Sequence, residues 1–376
     1  MTYDVIIAGA GPAGAAAAYW LGKAGWQVAV LEKEELPRYK ACGGGVPESV
    51  FERFPFDFSS VIERSIRRVR FRFRDGREVT TGLPGSSVAM VMRDAFDLHI
   101  LNHAPVEVHD QASVTALDQD RSGVTMTTAS GNRLRARYLI GADGANSRVA
   151  RLVGLHHHRK MGAAIEAEVP VDTALLETYA ETALFIFGTP PNGYLWIFPK
   201  ADHLSVGIGS FKKPASNLKH VLRREMAKLS ISVDGARLRG HPLPIHRQRE
   251  CLHRGRVLLA GDAARLVDPL LGEGIRHAVD SGRLAAECLL EGSPRSYSKR
   301  VHREIGRNLL WGRLWAQLFY WYPWASFQLA VRNPRFVRDF LRLFAGEISY
   351  RRMAVRALPN LLLGMGRRLS VTHQLS

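Results

Sequence analysis

A glycine-rich turn between two apolar segments constrains the start of this chain more than any other feature. Residues 3–8 are typical of a short buried strand, and Gly9-Ala10-Gly11-Pro12-Ala13-Gly14 follows at once. An alanine-rich stretch to about Lys23 predicts a helix, and residues 28–31 predict a second buried strand that ends at Glu32. A GxGxxG turn between strand and helix, with an acid about twenty residues further on, is typical of dinucleotide binding.

Each residue of this turn would have its own role in binding a dinucleotide. We expect Gly9 to make the tight turn, Gly11 to admit a pyrophosphate, and Gly14 to let helix and strand pack closely. The helix begins at Pro12-Ala13, and its positive end would face the phosphates. Glu32 should accept hydrogen bonds from an adenosine ribose. The alternative is an ordinary strand–helix turn that binds nothing.

The chain is strongly basic, and most of the excess charge lies near its end. The net charge is +17 over 376 residues, and from Arg295 onward 15 basic residues face 3 acidic ones. Such a segment fits an anionic membrane surface or nucleic acid, but no nucleic-acid-binding motif accompanies it. Cys42, Cys251 and Cys288 make no disulfide framework, and the N-terminus carries no basic region of a signal peptide. We therefore expect a reducing, cytoplasmic location.

Two later segments repeat the pattern of a buried strand that ends in small residues and an aspartate. The first ends in Gly141-Ala142-Asp143-Gly144 and the second in Ala260-Gly261-Asp262-Ala263. A loop with Gly272 and Gly274 then leads into apolar residues with helical spacing from Ile275. Each aspartate alone could be an ordinary turn residue. Together with the first turn, they indicate one dinucleotide-binding domain whose pieces are separated by sheet-rich insertions.

These three segments resemble the hydroxylase-type superfamily of FAD-dependent flavoproteins. In that superfamily the aspartate matching Asp262 bonds the ribityl chain of the flavin, and the arginine matching Arg93 lies beside the cofactor. The resemblance also places Asp143 at the cofactor. It implies that the glycine loop and the helix start at Ile275 face the flavin pyrimidine edge, where a helix dipole stabilises negative charge.

Two further motifs narrow the resemblance to geranylgeranyl reductases. The run Pro37-Arg38-Tyr39-Lys40-Ala41-Cys42-Gly43-Gly44-Gly45 looks like their PxxKxCGGG motif. Tyr194-Leu195-Trp196-Ile197-Phe198-Pro199, followed by Gly207, matches their YxWxFPxxxxxxxG substrate motif. The resemblance covers about residues 1–290. Such enzymes use FAD to reduce isolated double bonds of prenyl chains in archaeal lipids, chlorophyll precursors or menaquinone.

The first motif implies a site beside the flavin. Lys40 and the three glycines would contact the cofactor, because successive glycines allow a flat ligand to approach the backbone, although they could equally form a flexible loop. Cys42 would act there as a proton donor or a polarising group. A small buried thiol is the alternative.

The second motif implies a binding surface for the prenyl chain. Tyr194, Trp196 and Phe198 alternate along a strand, so that their rings share one face. The resemblance assigns Tyr194 and Trp196 to catalysis as well, and adds Pro199 and Gly207 to the substrate site. Without the resemblance, such alternation would indicate a sheet core.

The end of the chain carries an aromatic cluster without charge. Seven aromatic residues lie between Trp311 and Trp324, and residues 314–331 contain no charged side chain. These eighteen residues are at the lower limit for a membrane span, and Pro323 interrupts them. We predict an interfacial pair of helices with basic flanks on the inner face of a membrane; a conventional core helix is the alternative.

We expect an α/β (α+β) fold with a Rossmann-like FAD-binding domain, an inserted antiparallel-sheet substrate domain and a helical C-terminus. The predicted bounds are 1–60, 88–155 and 250–292 for the FAD domain, 61–87 and 156–249 for the substrate domain, and 293–376 for the basic C-terminus. Three adjacent imidazoles cannot converge on one ion from one strand, so His156-His157-His158 predicts a surface loop and no metal site.

The sequence predicts a reductase that saturates prenyl double bonds with hydride from reduced FAD. The electron donor would be NAD(P)H or a ferredoxin-like protein. An FAD monooxygenase or epoxidase acting on a lipid is the first alternative, because one fold hosts several chemistries. A membrane-bound flavin or lipid carrier is the second. The sequence leaves the oligomeric state open, and a monomer is compatible with it.

Overall fold

The computed structural model describes residues 2–83, 88–155, 161–211 and 217–356. The strands are β1 Thr2–Ala8, β2 Val28–Leu31, β3 Gly45–Pro47, β4 Ile62–Ile66, β5 Arg68–Phe73, β6 Glu78–Gly82, β7 Val88–Val91, β8 Glu107–His109, β9 Val114–Gln119, β10 Val124–Thr128, β11 Arg133–Gly141, β12 Gly162–Pro170, β13 Thr182–Phe187, β14 Gly193–Pro199, β15 His203–Ser210, β16 Arg239–Leu243, β17 His253–Arg254 and β18 Val257–Leu259. The helices are α1 Pro12–Lys23, α2 Arg93–Asn102, α3 Arg148–Leu152, α4 Thr173–Glu177, α5 Leu218–Ala227, α6 Ile275–Leu290, α7 Tyr297–Val301, α8 Arg307–Trp321, α9 Pro323–Val331 and α10 Pro334–Phe344.

The first sheet is built around β1, whose side chains from Val5 to Ala8 are buried. Its strand order is β17-β18-β11-β1-β2-β8, and β1 pairs in parallel with β2 and β11. Strands β9 and β10 extend it as an antiparallel meander from β11. Because parallel strands meet at one edge, the turns after β1, β11 and β18 come together there. This is the predicted Rossmann-like arrangement, and it confirms the α/β (α+β) class.

The second sheet has the order β16-β12-β15-β14-β13-β5-β6. It is antiparallel except between β13 and β5, where Phe185 pairs with Phe71 in a parallel register. A third, small sheet joins β3 and β4 to β7. Strand β4 therefore pairs outside the second sheet, and the domain boundaries stay a prediction.

The C-terminal helices lie over one face of the second sheet. A π-helical turn at 302–306 continues α7 into α8, and Pro323 begins α9 after a non-helical Tyr322. Phe327, Val337 and Leu341 are buried against the aromatic residues of this face. Within the described ranges, no helix has the length and hydropathy needed to cross a membrane. Residues 357–376 of the predicted C-terminal region and His156-His157-His158 lie outside the described residues.

Candidate active site

The glycines of the first turn have the surroundings that a tight turn requires. Gly9 has a φ of +105°, and a Cβ on it would lie 2.3 Å from the carbonyl oxygen of Ala142. A Cβ on Gly14 would lie 1.9 Å from the carbonyl oxygen of Gly9, so both positions exclude a side chain. Gly11 differs, because the nearest atom to its Cβ position is Arg38 Nη2 at 3.5 Å. The space in front of Gly11 is therefore open, as a pyrophosphate site needs.

Arg38 lies between this space and the acid at the end of β2. Glu32 is 3% exposed and accepts hydrogen bonds from the backbone N–H groups of Ala10 at 2.9 Å and Glu34 at 3.2 Å. Arg38 Nε lies 3.4 Å from Glu32 Oε2, and its Nη2 donates to Asp97 Oδ2 at 3.1 Å. Its Nη1 is buried with no partner in the described part of the chain. A buried guanidinium that lies beside Gly11 through Nη2 and keeps an unpaired N–H at Nη1 fits the FAD pyrophosphate, and Glu32 fits the ribose.

Arg93 is fixed by a bidentate ion pair one helical turn along α2. Its Nε and Nη2 donate to the two carboxylate oxygens of Asp97, both at 2.9 Å. Arg93 is 7% exposed. Burial alone would lower the pKa of its guanidinium, but the neighbouring Asp97 and Cys42 raise it. Asp97 thus holds Arg38 and Arg93 together and links the nucleotide end of the site to the cysteine segment.

Asp262 follows β18 and lies in a charged cluster with two residues from other segments. His241 Nε2 is 3.5 Å from Asp262 Oδ2 and 3.2 Å from Lys40 Nζ. Burial alone would raise the pKa of Asp262, but the hydrogen bond from His241 and the charge of Lys40 lower it. The carboxylate stays ionised and can accept hydrogen bonds from the hydroxyl groups of a ribityl chain.

The glycine loop before α6 lies next to this aspartate. A Cβ on Gly274, which precedes Ile275, would lie 3.5 Å from Asp262 Oδ1. Gly272 has a φ of +68° and faces the ring of Phe211 and the hydroxyl of Tyr194, each at 3.2 Å from its Cβ position. The structure therefore brings the predicted cofactor residues of this loop together with Asp262.

Asp143 has the environment of a turn-forming residue, the alternative weighed for it from the sequence. Its Oδ1 accepts a hydrogen bond from Ser147 Oγ at 2.5 Å, and its Oδ2 accepts from the backbone N–H groups of Arg148 at 2.7 Å and Val149 at 3.0 Å. The carboxylate thus holds the start of α3, which is the turn-forming role. A contact of this side chain with the cofactor stays a prediction.

The glycines after Cys42 face protein atoms. A Cβ on Gly43 would lie 2.8 Å from the ring of Phe198 and 3.0 Å from Trp196 Nε1. Gly44 has a φ of +67°, and its Cβ position is 2.1 Å from the carbonyl oxygen of Val91, whereas Gly45 has no contact closer than 3.7 Å. Packing against aromatic rings and backbone is therefore sufficient reason for the first two glycines, and their contact with the cofactor stays a prediction.

Cys42 itself is half-buried, and its Sγ accepts a hydrogen bond from the backbone N–H of Gly44 at 3.4 Å. Lys200, which sequence analysis missed, donates from Nζ to the carbonyl oxygens of Gly43 at 3.0 Å and Val91 at 2.8 Å. Lys200 is 1% exposed, and burial lowers its pKa to about 8. This lysine fixes the backbone of the cysteine segment, and its position directly after Pro199 was the available signal.

Tyr194, Trp196 and Phe198 form one aromatic surface, here called the aromatic wall. The ring centroids of Trp196 lie 6.3 Å from those of Tyr194 and Phe198. The indole lies over Gly207 on the neighbouring strand, where a Cβ would be 2.1 Å from the ring. By strand alternation, Pro199 lies on the opposite face of the sheet. The substrate roles of these residues stay predictions.

The aromatic wall is covered by the C-terminal helices. Between them lies a cavity of about 20 Å³, lined by Phe71, Phe185, Phe187, Tyr194, Leu270, Leu271, Phe319, Phe340 and Phe344. The hydroxyl of Tyr194 donates to the carbonyl oxygen of Leu271, which ties the wall to the loop before α6. This volume holds one water molecule, so a longer ligand requires the helices to move.

Comparison with known proteins identifies the family. A model of the FAD binding domain matches residues 68–291, and a model of FAD dependent oxidoreductases matches residues 4–76. The chain is 32% identical to a menaquinone reductase of Mycolicibacterium smegmatis, over 78% of each protein. It is 30% identical to the chloroplastic geranylgeranyl diphosphate reductase of Nicotiana tabacum, over 77% of this chain and 66% of that protein. The chain belongs to the geranylgeranyl reductase family of FAD-dependent oxidoreductases.

Solved structures of other proteins share this fold. A geranylgeranyl bacteriochlorophyll reductase-like protein of Thermoplasma acidophilum has a TM-score of 0.77 at 22% identity, covering 96% of this chain and 99% of that one. A probable FAD-dependent monooxygenase of Pseudomonas aeruginosa has a TM-score of 0.67 at 20% identity, covering 84% of this chain and 96% of that one. The fold is therefore shared between reductases and monooxygenases, so the fold alone does not decide which reaction this chain catalyses.

Proposed function

We propose that this protein saturates isolated double bonds in the prenyl chain of a lipid, a chlorophyll precursor or a quinone. The observation that carries the proposal is the contact between the aromatic wall and the Cys42-Gly43 segment, where Gly43 faces Trp196 and Phe198. An apolar chain lying on this wall would be next to the thiol. The names of the relatives support this substrate class, since one is a geranylgeranyl diphosphate reductase and another a menaquinone reductase.

The residues of this site suit the chemistry of an unactivated alkene. Reduced FAD, when bound, supplies the hydride; NAD(P)H or a ferredoxin-like protein would supply its electrons. An isolated double bond accepts hydride poorly unless it is partly protonated, and the Cys42 thiol is the proposed proton donor. The rings of Trp196 and Phe198, 8% exposed each, would exclude water and stabilise the positive charge that develops on carbon.

Anaerobic turnover tests this function. Enzyme reduced with dithionite should be reoxidised by a geranylgeranyl or menaquinone substrate without oxygen, and mass spectrometry should show the gain of two hydrogens. In Cys42→Ser, reduction of the flavin should stay normal while reoxidation slows by about 10²–10⁴-fold, the range for general acid catalysis.

Three other results would contradict the proposal. Reoxidation only with oxygen, giving an oxygenated lipid, would indicate a monooxygenase. Lipid binding without turnover would indicate a carrier. Normal reoxidation in both Cys42→Ser and Cys42→Ala would remove the proton-donor role and leave Cys42 as a packing residue.

We propose further that α8 and α9 dock on the inner face of an anionic membrane. The side chains of Leu318, Trp321, Tyr322 and Trp324 are between 50% and 73% exposed. This patch has arginines on either side of it in sequence, at 313 and 332, and the basic C-terminal region continues beyond it. Exposed tryptophan and tyrosine beside basic residues match the interface between headgroups and acyl chains.

A further inference from the structure

A buried glutamate lies on the sheet face that carries the aromatic wall. Glu166, on β12, is 3% exposed, and its Oε1 accepts a hydrogen bond from the hydroxyl of Tyr39 at 2.8 Å. Its Oε2 has no hydrogen-bond partner among the residues that the structure describes. A carboxylate oxygen buried in this way is costly unless the group carries a proton.

The strand register places this carboxyl group close to the proposed reaction site. Glu166 lies opposite Gly207 on β15, and Gly207 lies opposite Trp196 on β14. Residues directly opposite in antiparallel strands share a face, so only a glycine separates the carboxyl group from the indole. Trp196 Nε1 is also buried without a partner inside the described ranges, and it faces Gly43.

The charged groups around Glu166 leave it able to exchange a proton at neutral pH. Burial raises its pKa to about 7, with a further contribution from the charge of Glu168. The hydrogen bond from Tyr39, the charge of Lys200 and the backbone N–H of Cys42 act in the opposite direction. Arg239, opposite Glu166 on β16, stacks on the ring of Tyr39 at 4.0 Å.

Tyr39 connects this carboxyl group to the surface. Its side chain is half-buried, whereas Glu166 behind it is buried. Burial and the neighbouring Glu166 raise the pKa of Tyr39, so the phenol keeps its proton and can only pass one on while receiving another. A hydroxyl between solvent and a buried acid is a suitable relay.

We propose that Glu166 and Tyr39 form the route by which solvent returns a proton to Cys42 after each reduction. This inference rests on the proposed function. In each turnover bound, reduced FAD would supply hydride to one alkene carbon, and the Cys42 thiol gives its proton to the other carbon, which leaves a thiolate. Glu166 then gives its proton to that thiolate and regains one from the hydroxyl of Tyr39, which is replenished from water.

Continuous turnover of the Glu166→Gln holoenzyme tests the route. With excess dithionite and a geranylgeranyl substrate, without oxygen, the first reduction should proceed at the wild-type rate, because the route is needed only after Cys42 has given up its proton. Later reductions should be slower by about 10²–10⁴-fold, which gives a burst of one product per flavin. A merely structural role would slow the first reduction equally. Tyr39→Phe should also slow the later reductions relative to the first, but by less, because it removes the hydroxyl from which Glu166 regains its proton.

The pH dependence of turnover gives a second test of the route. Wild-type turnover should fall above pH 7, because Glu166 must be protonated to give up a proton, and Glu166→Gln should lose this break. Glu168→Gln is the matched control, because Glu168 lies two residues away on the same strand face and is partly exposed. It should keep the break, shifted to a lower pH by the loss of a neighbouring negative charge.

Infrared spectroscopy of the oxidised holoenzyme gives a readout that does not depend on activity. The difference between wild type and Glu166→Gln should contain a protonated carboxyl band that disappears as the pH passes 7. The same pH break in Glu166→Gln, no burst, or no such band would each overturn the route. Failure of the proposed function would look different: wild type itself would not be reoxidised by any prenyl substrate.

Discussion

Two glycines of the first turn look equivalent in the sequence but differ in what a side chain would meet. A Cβ on Gly14 would overlap the backbone of Gly9, whereas the nearest atom to a Cβ on Gly11 is the end of a flexible arginine. Gly14 is therefore required by the fold, as the sequence predicted from neighbours a few residues away. The open space at Gly11 is compatible with the predicted pyrophosphate contact, which stays a prediction.

This difference gives a prediction at the scale of single residues. Gly11→Val should fold normally but contain little or no FAD, because its side chain fills the space in front of the turn. Gly14→Ala should destabilise the fold itself. Flavin absorbance per protein and thermal unfolding of both variants would measure this, with Gly82→Ala, whose nearest contact is 3.9 Å, as a control. A Gly11→Val protein saturated with FAD would show that the phosphates bind elsewhere.

Other residues could not be predicted because they act across long separations in sequence. Lys200 donates to backbone 157 and 109 residues away, and Glu166 meets Tyr39 over a separation of 127. Lys200 directly follows Pro199 of the substrate motif but occupies a position that the motif leaves open, and Glu166 belongs to no motif. Their contacts with the cysteine segment appear only when the strand register is known.

At the scale of elements, β14 and β15 form the part of the sheet on which the aromatic wall depends. Trp196 on β14 lies flat over Gly207 on β15, which has no side chain to hold it away. The alternation of aromatic residues in the sequence predicted a shared face, and the structure confirms it. The covering helices were predicted as interfacial helices with a core helix as the alternative. One face of these helices is buried against the sheet, as the alternative requires, and their interfacial role stays a prediction.

Gly207→Ala should therefore impair turnover while leaving FAD bound. Its methyl group would overlap the indole, and a displacement of about 1 Å in a reactive site can lower the rate by about 10²-fold. Gly209→Ala is the matched control, because Gly209 lies on the same strand and the nearest atoms to its Cβ position, in Phe211 and Trp196, are 3.8 Å away. The two variants are compared by the rate at which prenyl substrate reoxidises the reduced enzyme. Flavin content is the second measurement. Equal rates in the two variants would show that the position of the indole does not matter.

At the scale of the whole molecule, charge and exposed aromatic side chains coincide at the C-terminal helices. The net charge is concentrated in the same part of the chain that exposes Trp321, Tyr322 and Trp324. The sequence predicted this coincidence. It could not show which aromatic residues point outward, because burial of Phe319 and Phe327 depends on packing against distant strands.

The combined variant Trp321→Ala/Trp324→Ala should bind anionic vesicles at least about tenfold more weakly, equivalent to about 1.4 kcal/mol. Added salt should weaken the wild type further without abolishing binding, since insertion of aromatic rings is not screened. Vesicle co-sedimentation over a salt series measures both effects, and Leu152→Ala, 41% exposed in α3 rather than in these helices, is the control. Equal wild-type binding to neutral and anionic vesicles would contradict the electrostatic part.

The position of helix α8 predicts how the turnover rate depends on the concentration of substrate in the membrane. Leu318 is 59% exposed, while the next residue, Phe319, lines the cavity on the aromatic wall. A single helix, about 10 Å across, therefore separates the proposed lipid surface from the proposed reaction site. A substrate that crosses it directly never dissolves in water. The rate should then follow the mole fraction of substrate in the bilayer, so that diluting the substrate with inert lipid slows the enzyme even when the total amount in the vessel is unchanged.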